Sequence, residues 1–375
     1  MRQLNIMLKP ASSMCNLRCK YCFYADVSAN RKVKSYGVMT DETAESLIRN
    51  VFTEMNDGDA VKFVFQGGEP TLAGVKWFRQ FTEYVRSQKR KVNVSYALQT
   101  NAMLLNEEWC LFLKENDFLV GVSLDGPENN HNLCREDAEG KGTYRDVMAA
   151  IQLLNKYHVE YNVLMTLTNN LARHPNQVWK LITDNNFRFV QFTPCVSDFD
   201  DSSSVFALAP DRFASFYIQI FGLWKKAFEK DNYYSIKLID DLVNLYAFGE
   251  VNACGLVGEC NPQIVVEADG SAYPCDFYMT DEWETGNLAK QPISQIMNAP
   301  NNYRFISRPR SQSLCETCNY REICNGGCRR MQRQVCYGDD SIRCGYRRFL
   351  DAVDKDLREI AETQRIYRNS TRSKP

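Results

Sequence analysis

Along the first 230 residues, short apolar runs rich in β-branched and aromatic residues alternate with longer stretches whose apolar positions recur at the helical period. Strand candidates are residues 4–8, 61–65, 92–98, 119–124, 161–167 and 189–193. The segments between and after them, 41–55, 75–88, 107–116, 144–157, 176–185 and 211–230, read as helices. In the first of these, Ala44, Leu47, Ile48, Val51 and Met55 fall on one face. Thr40 or Asp41 stands where that helix needs a cap. Strands alternating with helices predict an α/β fold with a parallel sheet rather than a sandwich. Such arrays carry functional groups on the loops that follow the strands. Periodicity alone does not separate an incomplete barrel from an open, doubly wound sheet.

The texture changes after residue 240. A helical stretch over 239–248 leads into segments dominated by glycine, cysteine and short strands. Asp269-Gly270 between the apolar runs 264–266 and 272–273 predicts a β-hairpin. Residues 346–364 read as a helix again, and the last dozen are polar and expected to fray. The shift divides the chain into an α/β domain over 1–235 and a smaller cysteine-rich domain over 236–375.

A chain of 375 residues has room for about two cores. With 44% apolar and 24% charged residues it is of the soluble, globular class. No window approaches the ~20 apolar residues of a membrane helix, and the first ten residues lack the features of a secretory signal. The expectation is a cytoplasmic protein with no membrane partner. A net charge of −1 argues against a nucleic-acid partner. Arg329, Arg330, Arg333, Arg343, Arg347 and Arg348 cluster, and read as a solvated face. The 15 cysteines suit metal binding better than disulfides in a chain of this kind. Cys110, Cys134, Cys195 and Cys336 stand outside the spaced sets and read as small buried apolar residues.

Cys15, Cys19 and Cys22 lie at C-x3-C-x2-C spacing after the first strand. Three thiols on a tight loop hold three corners of a cubane iron–sulfur cluster and leave one iron open to a ligand. Structural zinc wants four closed ligands, and none of the 3 histidines is near. After the second strand comes Gln66-Gly67-Gly68-Glu69-Pro70, where glycines permit close backbone approach and a carboxylate or exposed carbonyl can receive an ammonium. Ser123 ends the fourth strand and Arg135 follows in a polar loop, a hydroxyl and a guanidinium suited to polar ligand groups. Towards the C-terminus, Cys254, Cys260 and Cys275 precede Cys315, Cys318, Cys324, Cys328 and Cys344. Eight thiols suffice for two fully ligated clusters, and thiolate softness suits iron–sulfur or zinc equally. Asp276 follows Cys275 among aromatic neighbours; like charge and burial would raise its pKa towards that of a general base, or it simply accepts hydrogen bonds in a turn.

The Cys15-to-Cys22 loop resembles the cluster signature of the radical S-adenosylmethionine (SAM) superfamily, in which the open iron chelates SAM. Its continuation Cys22-Phe23-Tyr24 and the C-terminal cysteines are similar to the anaerobic sulfatase-maturating enzymes, a branch with a cysteine-rich SPASM domain. The resemblance implies a partial (β/α)6 barrel followed by a SPASM domain with a hairpin and C-terminal helix. It implies three 4Fe–4S clusters: a SAM-binding one on Cys15, Cys19 and Cys22, one on Cys254, Cys260, Cys275 and Cys328, and one on Cys315, Cys318, Cys324 and Cys344. Gly67, Gly68, Glu69 and Pro70 match the motif for the SAM amino group, and Ser123 and Arg135 its ribose and carboxylate contacts. Ala102 departs from the family pattern, which usually has glycine there. Asp276 matches the proposed base, and Tyr24 and Gln66 line the same pocket.

The implied reaction oxidises a Cys or Ser in a sulfatase precursor, within Cys-x-Pro-x-Arg or Ser-x-Pro-x-Arg, to Cα-formylglycine. A 5′-deoxyadenosyl radical takes a Cβ hydrogen, Asp276 takes the thiol or hydroxyl proton, and the auxiliary clusters remove an electron. A donor such as flavodoxin or ferredoxin supplies the reducing electron, and the enzyme works anaerobically. Two alternatives stand beside it. One is a SPASM maturase forming thioether or carbon–carbon crosslinks, disfavoured by a cluster loop that begins by residue 15. The other is a non-catalytic iron–sulfur or zinc scaffold, which would leave Gly-Gly-Glu-Pro and the βα array without a purpose.

Overall fold

The computed structural model describes residues 1–200, 204–307, 313–337 and 344–372. In chain order the first part holds β1 (Gln3–Leu8), α1 (Phe23–Ala29), α2 (Asp41–Thr53), β2 (Ala60–Phe65), α3 (Val75–Arg86), β3 (Asn93–Thr100) and α4 (Glu107–Glu115). It continues with β4 (Phe118–Ser123), α5 (Glu128–Cys134), α6 (Tyr144–Lys156), β5 (Tyr161–Leu167), α7 (Pro175–Asp184), β6 (Phe189–Pro194) and α8 (Pro210–Phe228). Then come β7 (Ser235–Ile236), α9 (Lys237–Phe248), β8 (Ile264–Val266), β9 (Ser271–Tyr273), β10 (Gly286–Asn287), α10 (Ile293–Met297) and α11 (Pro300–Ile306). The chain ends with α12 (Ser313–Glu316), α13 (Arg321–Cys324), α14 (Gln332–Val335) and α15 (Gly345–Arg372). Every strand and helix expected from the apolar pattern is present. The short α1 and α5 were not expected, being under two turns long and without a clear apolar stripe. Thr40 caps α2, its hydroxyl accepting from the Thr43 amide at 3.1 Å.

By contacts the chain forms two compact units, one of residues 1–124, 131–162 and 262–308, the other of 125–130, 163–261 and 309–375. In the first, the sheet order is β10-β9-β8-β1-β2-β3-β4. β1 to β4 run parallel in sequence order. The predicted hairpin forms at β8 and β9, with Gly270 in its turn at φ +88°. Nothing in the apolar pattern indicates that β8 adds parallel to the free edge of β1, pairing Ile6 with Ile264 and Leu8 with Val266. Aromatic side chains fill the core between sheet and helices; the Phe65 and Phe78 ring centroids stand 4.8 Å apart and those of Tyr96 and Phe118 4.9 Å.

In the second unit β5, β6 and β7 are parallel neighbours. α15 packs on α8 and α9, with Phe349 against Phe213 and Tyr217. Of the last dozen residues, where fraying was expected, those up to Arg372 continue α15, and 373–375 lie outside the described residues. The ion pair of Arg365 with Glu362, one turn apart, and the Arg368 guanidinium over the Phe248 ring lie in its polar last turns. The arginine cluster is not uniformly solvated. Arg347 and Arg348 are exposed, whereas Arg330 donates to the Ser197 carbonyl and lies 4.6 Å over Phe199. Arg343 lies outside the described residues. Among the described residues no helix is long and apolar enough to cross a membrane.

After β3 the chain turns at Ala102, which sits at φ +65°, in the left-handed region that a Cβ disfavours. This explains why glycine suits the position. Ala102→Gly relieves the strain while loosening the unfolded chain, so stability should rise by about 0.5–1 kcal/mol, read as a higher denaturant midpoint at unchanged slope.

Candidate active site

The cysteine loop is strapped down on two sides within the first unit. Arg18 and Lys20 donate backbone hydrogen bonds to Glu136 and Cys134 at 2.7 and 3.0 Å, and Gly68 and Glu69 donate to Ser12 and Met14 at 2.9 and 2.7 Å. A Cβ on Gly68 would stand 2.0 Å from the Met14 carbonyl oxygen. The second glycine of Gly67-Gly68 is therefore required by the approach of the loop carrying Cys15. Cys22 stands immediately before α1, in its N-cap position, with no capping hydrogen bond from its side chain.

Donors converge on the half-buried thiols. The Leu17 amide and the Asn101 side-chain amide point at Cys15 Sγ from 3.4 and 3.7 Å, and Arg135 reaches Cys19 Sγ at 3.9 Å. Burial raises the pKa of Cys15, and the nearby Glu69 and Cys22 add to the effect. Three soft thiols, two of them facing N–H donors, fit an anionic iron–sulfur cluster.

Glu69 is buried, and its carboxylate is occupied from within. Oε1 accepts from the Thr71 amide and hydroxyl at 3.0 and 2.6 Å and from the Thr100 hydroxyl at 2.7 Å, and Oε2 accepts from the Asn101 amide at 2.7 Å. The side chain thus pins the loops after β2 and β3 together, and the donors that Thr100 and Asn101 supply were not foreseen from the sequence. Burial raises its pKa against those hydrogen bonds. Pro70, also buried, opens the single 3-10 turn that follows. Half-buried Ser123 accepts from Gln99 at 3.0 Å, and the Arg135 guanidinium lies 5.6 Å from the Tyr21 ring centre.

Asp276 follows β9 at the start of a 3-10 turn. The sequence reading set it among like charges; the neighbour the fold supplies is Lys9, of opposite sign. Lys9 leaves the end of β1 with a side chain that is 0% exposed, and its ammonium pairs with Asp276 Oδ1. Gln66 donates to the other carboxylate oxygen at 3.1 Å. The ammonium also lies 4.5 Å from the Tyr24 ring centre. Tyr24 is buried, and its hydroxyl donates to Glu267, which in turn pairs with the buried Arg31. Burial, reinforced by Glu267, pushes the Tyr24 phenol well up, so it stays protonated. Phe277 rests on Phe23 with ring centroids 4.6 Å apart, seating the Asp276 turn beside the residue that follows Cys22. Sequence reasoning named Asp276, Gln66 and Tyr24 and missed Lys9, Glu267 and Arg31. The available signal was a lone charge directly after each apolar strand run, Lys9 after β1 and Glu267 after β8.

In the second unit Cys315, Cys318, Cys324 and Cys344 line one cavity of about 420 Å³. Tyr346 lines it too, its buried hydroxyl without a hydrogen-bond partner among the described residues. Cys254, Cys260 and Cys328 act on one another electrostatically, and burial raises the thiols of Cys254 and Cys328. Gly255 and Gly258 allow this approach; a Cβ on them would meet Cys328 Cα at 2.9 Å and the Asn325 carbonyl oxygen at 2.4 Å. Cys275 belongs to the first unit. Among the described residues no three Cys, His, Asp or Glu side chains are grouped for a single metal ion. The donor set of four thiols around a cavity with an unpartnered hydroxyl fits a larger, sulfide-containing group.

Residues 10–174 match the radical SAM superfamily, and residues 258–319 match SPASM, described as an iron-sulfur cluster-binding domain. Together with the parallel βα sheet and the three-thiol loop, these define a radical SAM enzyme with a SPASM domain. A cysteine-type anaerobic sulfatase-maturating enzyme of Clostridium novyi is 38% identical over 97% of this chain and 98% of its own. One from Clostridium perfringens is 41% identical over 88% of this chain and 90% of its own. The solved structure of native anSMEcpe with bound AdoMet and Cp18Cys peptide has a TM-score of 0.87 at 37% identity, covering 96% of this chain and 99% of that one. The chain belongs to the anaerobic sulfatase-maturating enzymes.

Two substitutions test this geometry. Gly68→Ala forces the loop off the Met14 carbonyl and should cost about 1–3 kcal/mol, with a lower iron content after reconstitution. Lys9→Met strands the Asp276 carboxylate and should lower the unfolding free energy by about 3–5 kcal/mol, measured by denaturant titration.

Proposed function

We propose that this chain oxidises a cysteine of a sulfatase precursor, within a Cys-x-Pro-x-Arg segment, to Cα-formylglycine. The observation that carries the reading is the Asp276 carboxylate, held between Lys9 and Gln66 beside the cysteine loop. The cysteine-type description of relatives at 38% and 41% identity supports cysteine over serine as the target. When bound, SAM and its cluster supply hydrogen-atom abstraction at the substrate Cβ, and auxiliary clusters supply a sink for the electron left behind.

The protein's residues do the rest. Cys15, Cys19 and Cys22 would hold the SAM-binding cluster, with Leu17 and Asn101 donating to the Cys15 sulfur and Arg135 to that of Cys19. With the Glu69 carboxylate already committed to Thr71, Thr100 and Asn101, the backbone of Gly67, Gly68 and Pro70 receives the SAM ammonium. Ser123 and Arg135 take its ribose and carboxylate. Asp276 accepts the substrate thiol proton, Gln66 fixes the angle of its carboxylate, and Lys9 balances its charge before the proton arrives. Tyr24 holds the Lys9 ammonium over its ring face. The substrate side chain loses a hydrogen atom, a proton and an electron to become a thioaldehyde, which water converts to the aldehyde.

Three 4Fe–4S clusters follow from this reading: the SAM-binding one, a first auxiliary cluster on Cys254, Cys260, Cys275 and Cys328, and a second on Cys315, Cys318, Cys324 and Cys344. By sequence the barrel domain spans 1–235 and the SPASM domain 236–375. A low-potential carrier such as flavodoxin or ferredoxin delivers the first electron, and the reaction belongs in an anaerobic cytoplasm.

The test is anaerobic incubation of the reconstituted protein with SAM, a reductant and peptides carrying Cys-x-Pro-x-Arg or Ser-x-Pro-x-Arg, read by mass spectrometry. Formylglycine should appear in the cysteine peptide with matching 5′-deoxyadenosine. Asp276→Asn should keep SAM cleavage and lose formylglycine by at least about 100-fold. Replacing Cys15, Cys19 and Cys22 together by Ala should abolish SAM cleavage and leave the iron on the C-terminal cysteines. SAM cleavage with both peptides unchanged would overturn the substrate assignment in favour of a crosslinking maturase.

A further inference from the structure

Two charged residues of the first unit stand close to Asp276 without a part in the function above, Arg31 and Glu267. Arg31 is 5% and Glu267 0% exposed, so neither is open to a peptide substrate. Lys9 is the residue after β1 and Glu267 the residue after β8. Leu8 is paired with Val266, and the Lys9 amide donates to the Val266 carbonyl at 2.9 Å, so the two side chains leave neighbouring strands at the same level of the sheet. An ammonium and a carboxylate thus emerge side by side, yet they do not pair with each other. Lys9 pairs with Asp276, and Glu267 pairs with Arg31.

The Glu267 carboxylate is taken up by other donors. Oε1 accepts from the Tyr24 hydroxyl and from the Arg31 guanidinium, and Oε2 from the Ala268 amide at 3.0 Å. Arg31 comes from the segment just after α1. Its second terminal nitrogen donates to the Lys34 carbonyl at 3.1 Å, and its guanidinium carbon lies 5.7 Å from the centre of the same Tyr24 ring that faces the Lys9 ammonium at 4.5 Å. Glu267 is needed as the acceptor for the buried Tyr24 hydroxyl. A buried carboxylate stripped of its counter-ion attracts whatever cation is within reach, because little solvent screens it. Without Arg31 that cation is Lys9. Glu267 and Asp276 would then compete for one ammonium, and Asp276 would lose the partner that holds its Oδ1.

We propose that Arg31 is a positioning residue of the reaction: by saturating Glu267 it leaves the Lys9 ammonium to Asp276. The inference rests on the reading that Asp276 takes the substrate proton. It gives the second buried ion pair a purpose that stability does not supply, since such pairs seldom outdo well-packed apolar residues.

The experiment compares the reconstituted wild type with Arg31→Met, Glu267→Gln, the double variant Arg31→Met/Glu267→Gln and Asp276→Asn. It measures iron content, 5′-deoxyadenosine, and kcat and KM for formylglycine in the cysteine peptide, normalised to bound iron. The two single variants at Arg31 and Glu267 break the same ion pair and each leaves one buried charge, so a purely structural role makes them alike. Only Arg31→Met leaves a carboxylate to compete for Lys9. Its kcat for formylglycine should fall by about tenfold or more at wild-type KM, the scale set by a misplaced reacting group, while 5′-deoxyadenosine still forms. Glu267→Gln, whose side-chain carbonyl still accepts from Tyr24, should turn over like the wild type. The double variant has no competing carboxylate and no unpaired charge, and should recover what Arg31→Met loses. Equal losses in the two single variants, a double variant as impaired as Arg31→Met, or wild-type kcat in Arg31→Met each overturn the proposal. Failure of Arg31→Met to fold or load iron where Glu267→Gln does both overturns it too, by making Arg31 a structural residue. Wild-type formylglycine formation in Asp276→Asn would instead overturn the underlying reading of Asp276, and the proposal with it.

Discussion

The parallel pairing of β8 with the edge of β1 is the constraint on which the candidate active site depends. Leu8 lies opposite Val266, so Lys9 and Glu267 leave the two strands side by side, and the Lys9 amide donates to the Val266 carbonyl at 2.9 Å. From that junction two buried charge pairs run inward, Lys9 to Asp276 and Glu267 to Arg31. The hairpin that begins with β8 returns the chain along β9 and delivers Cys275 and Asp276 next to the cysteine loop. A slip of one residue at β8 would turn every side chain of that strand over and separate Asp276 from its ammonium.

Tyr24 joins the two pairs. Its hydroxyl donates to Glu267, and its ring face receives the Lys9 cation. Buried ion pairs seldom stabilise a fold relative to well-packed apolar residues, though losing one partner of a pair is costly. Two of them with a phenol between are therefore better explained by chemistry than by stability. The pattern fits a carboxylate that must be kept dry, oriented and charge-balanced until a proton reaches it.

Elsewhere the close approach of the cysteine-bearing segments is met by backbone geometry. Gly68 admits the Met14 carbonyl, while Gly255 and Gly258 admit the segment carrying Cys324 and Cys328. Each is a place where two stretches of chain touch with no room for a Cβ. The Glu69 carboxylate, fully used by Thr71, Thr100 and Asn101, shows the same economy, since one buried acceptor locks two loops at once.

The strand and helix order was legible in the apolar period, because each element buries one face against a shared sheet and the pattern of that face is local. The spacing of the cysteine sets was legible for a related reason: spacing along a loop is a property of adjacent residues, as Cys15, Cys19 and Cys22 show. Asp276, Gln66 and Tyr24 were reachable through their neighbours in sequence. Lys9, Glu267 and Arg31 were not. Lys9 and Asp276 are 267 positions apart, and Arg31 and Glu267 are 236 apart. Only the edge pairing of two short strands brings them together, and nothing in the pattern of β8 says which edge it will join. Tertiary structure decided that choice, because the open edge of β1 was left with unpaired backbone groups that β8 could satisfy.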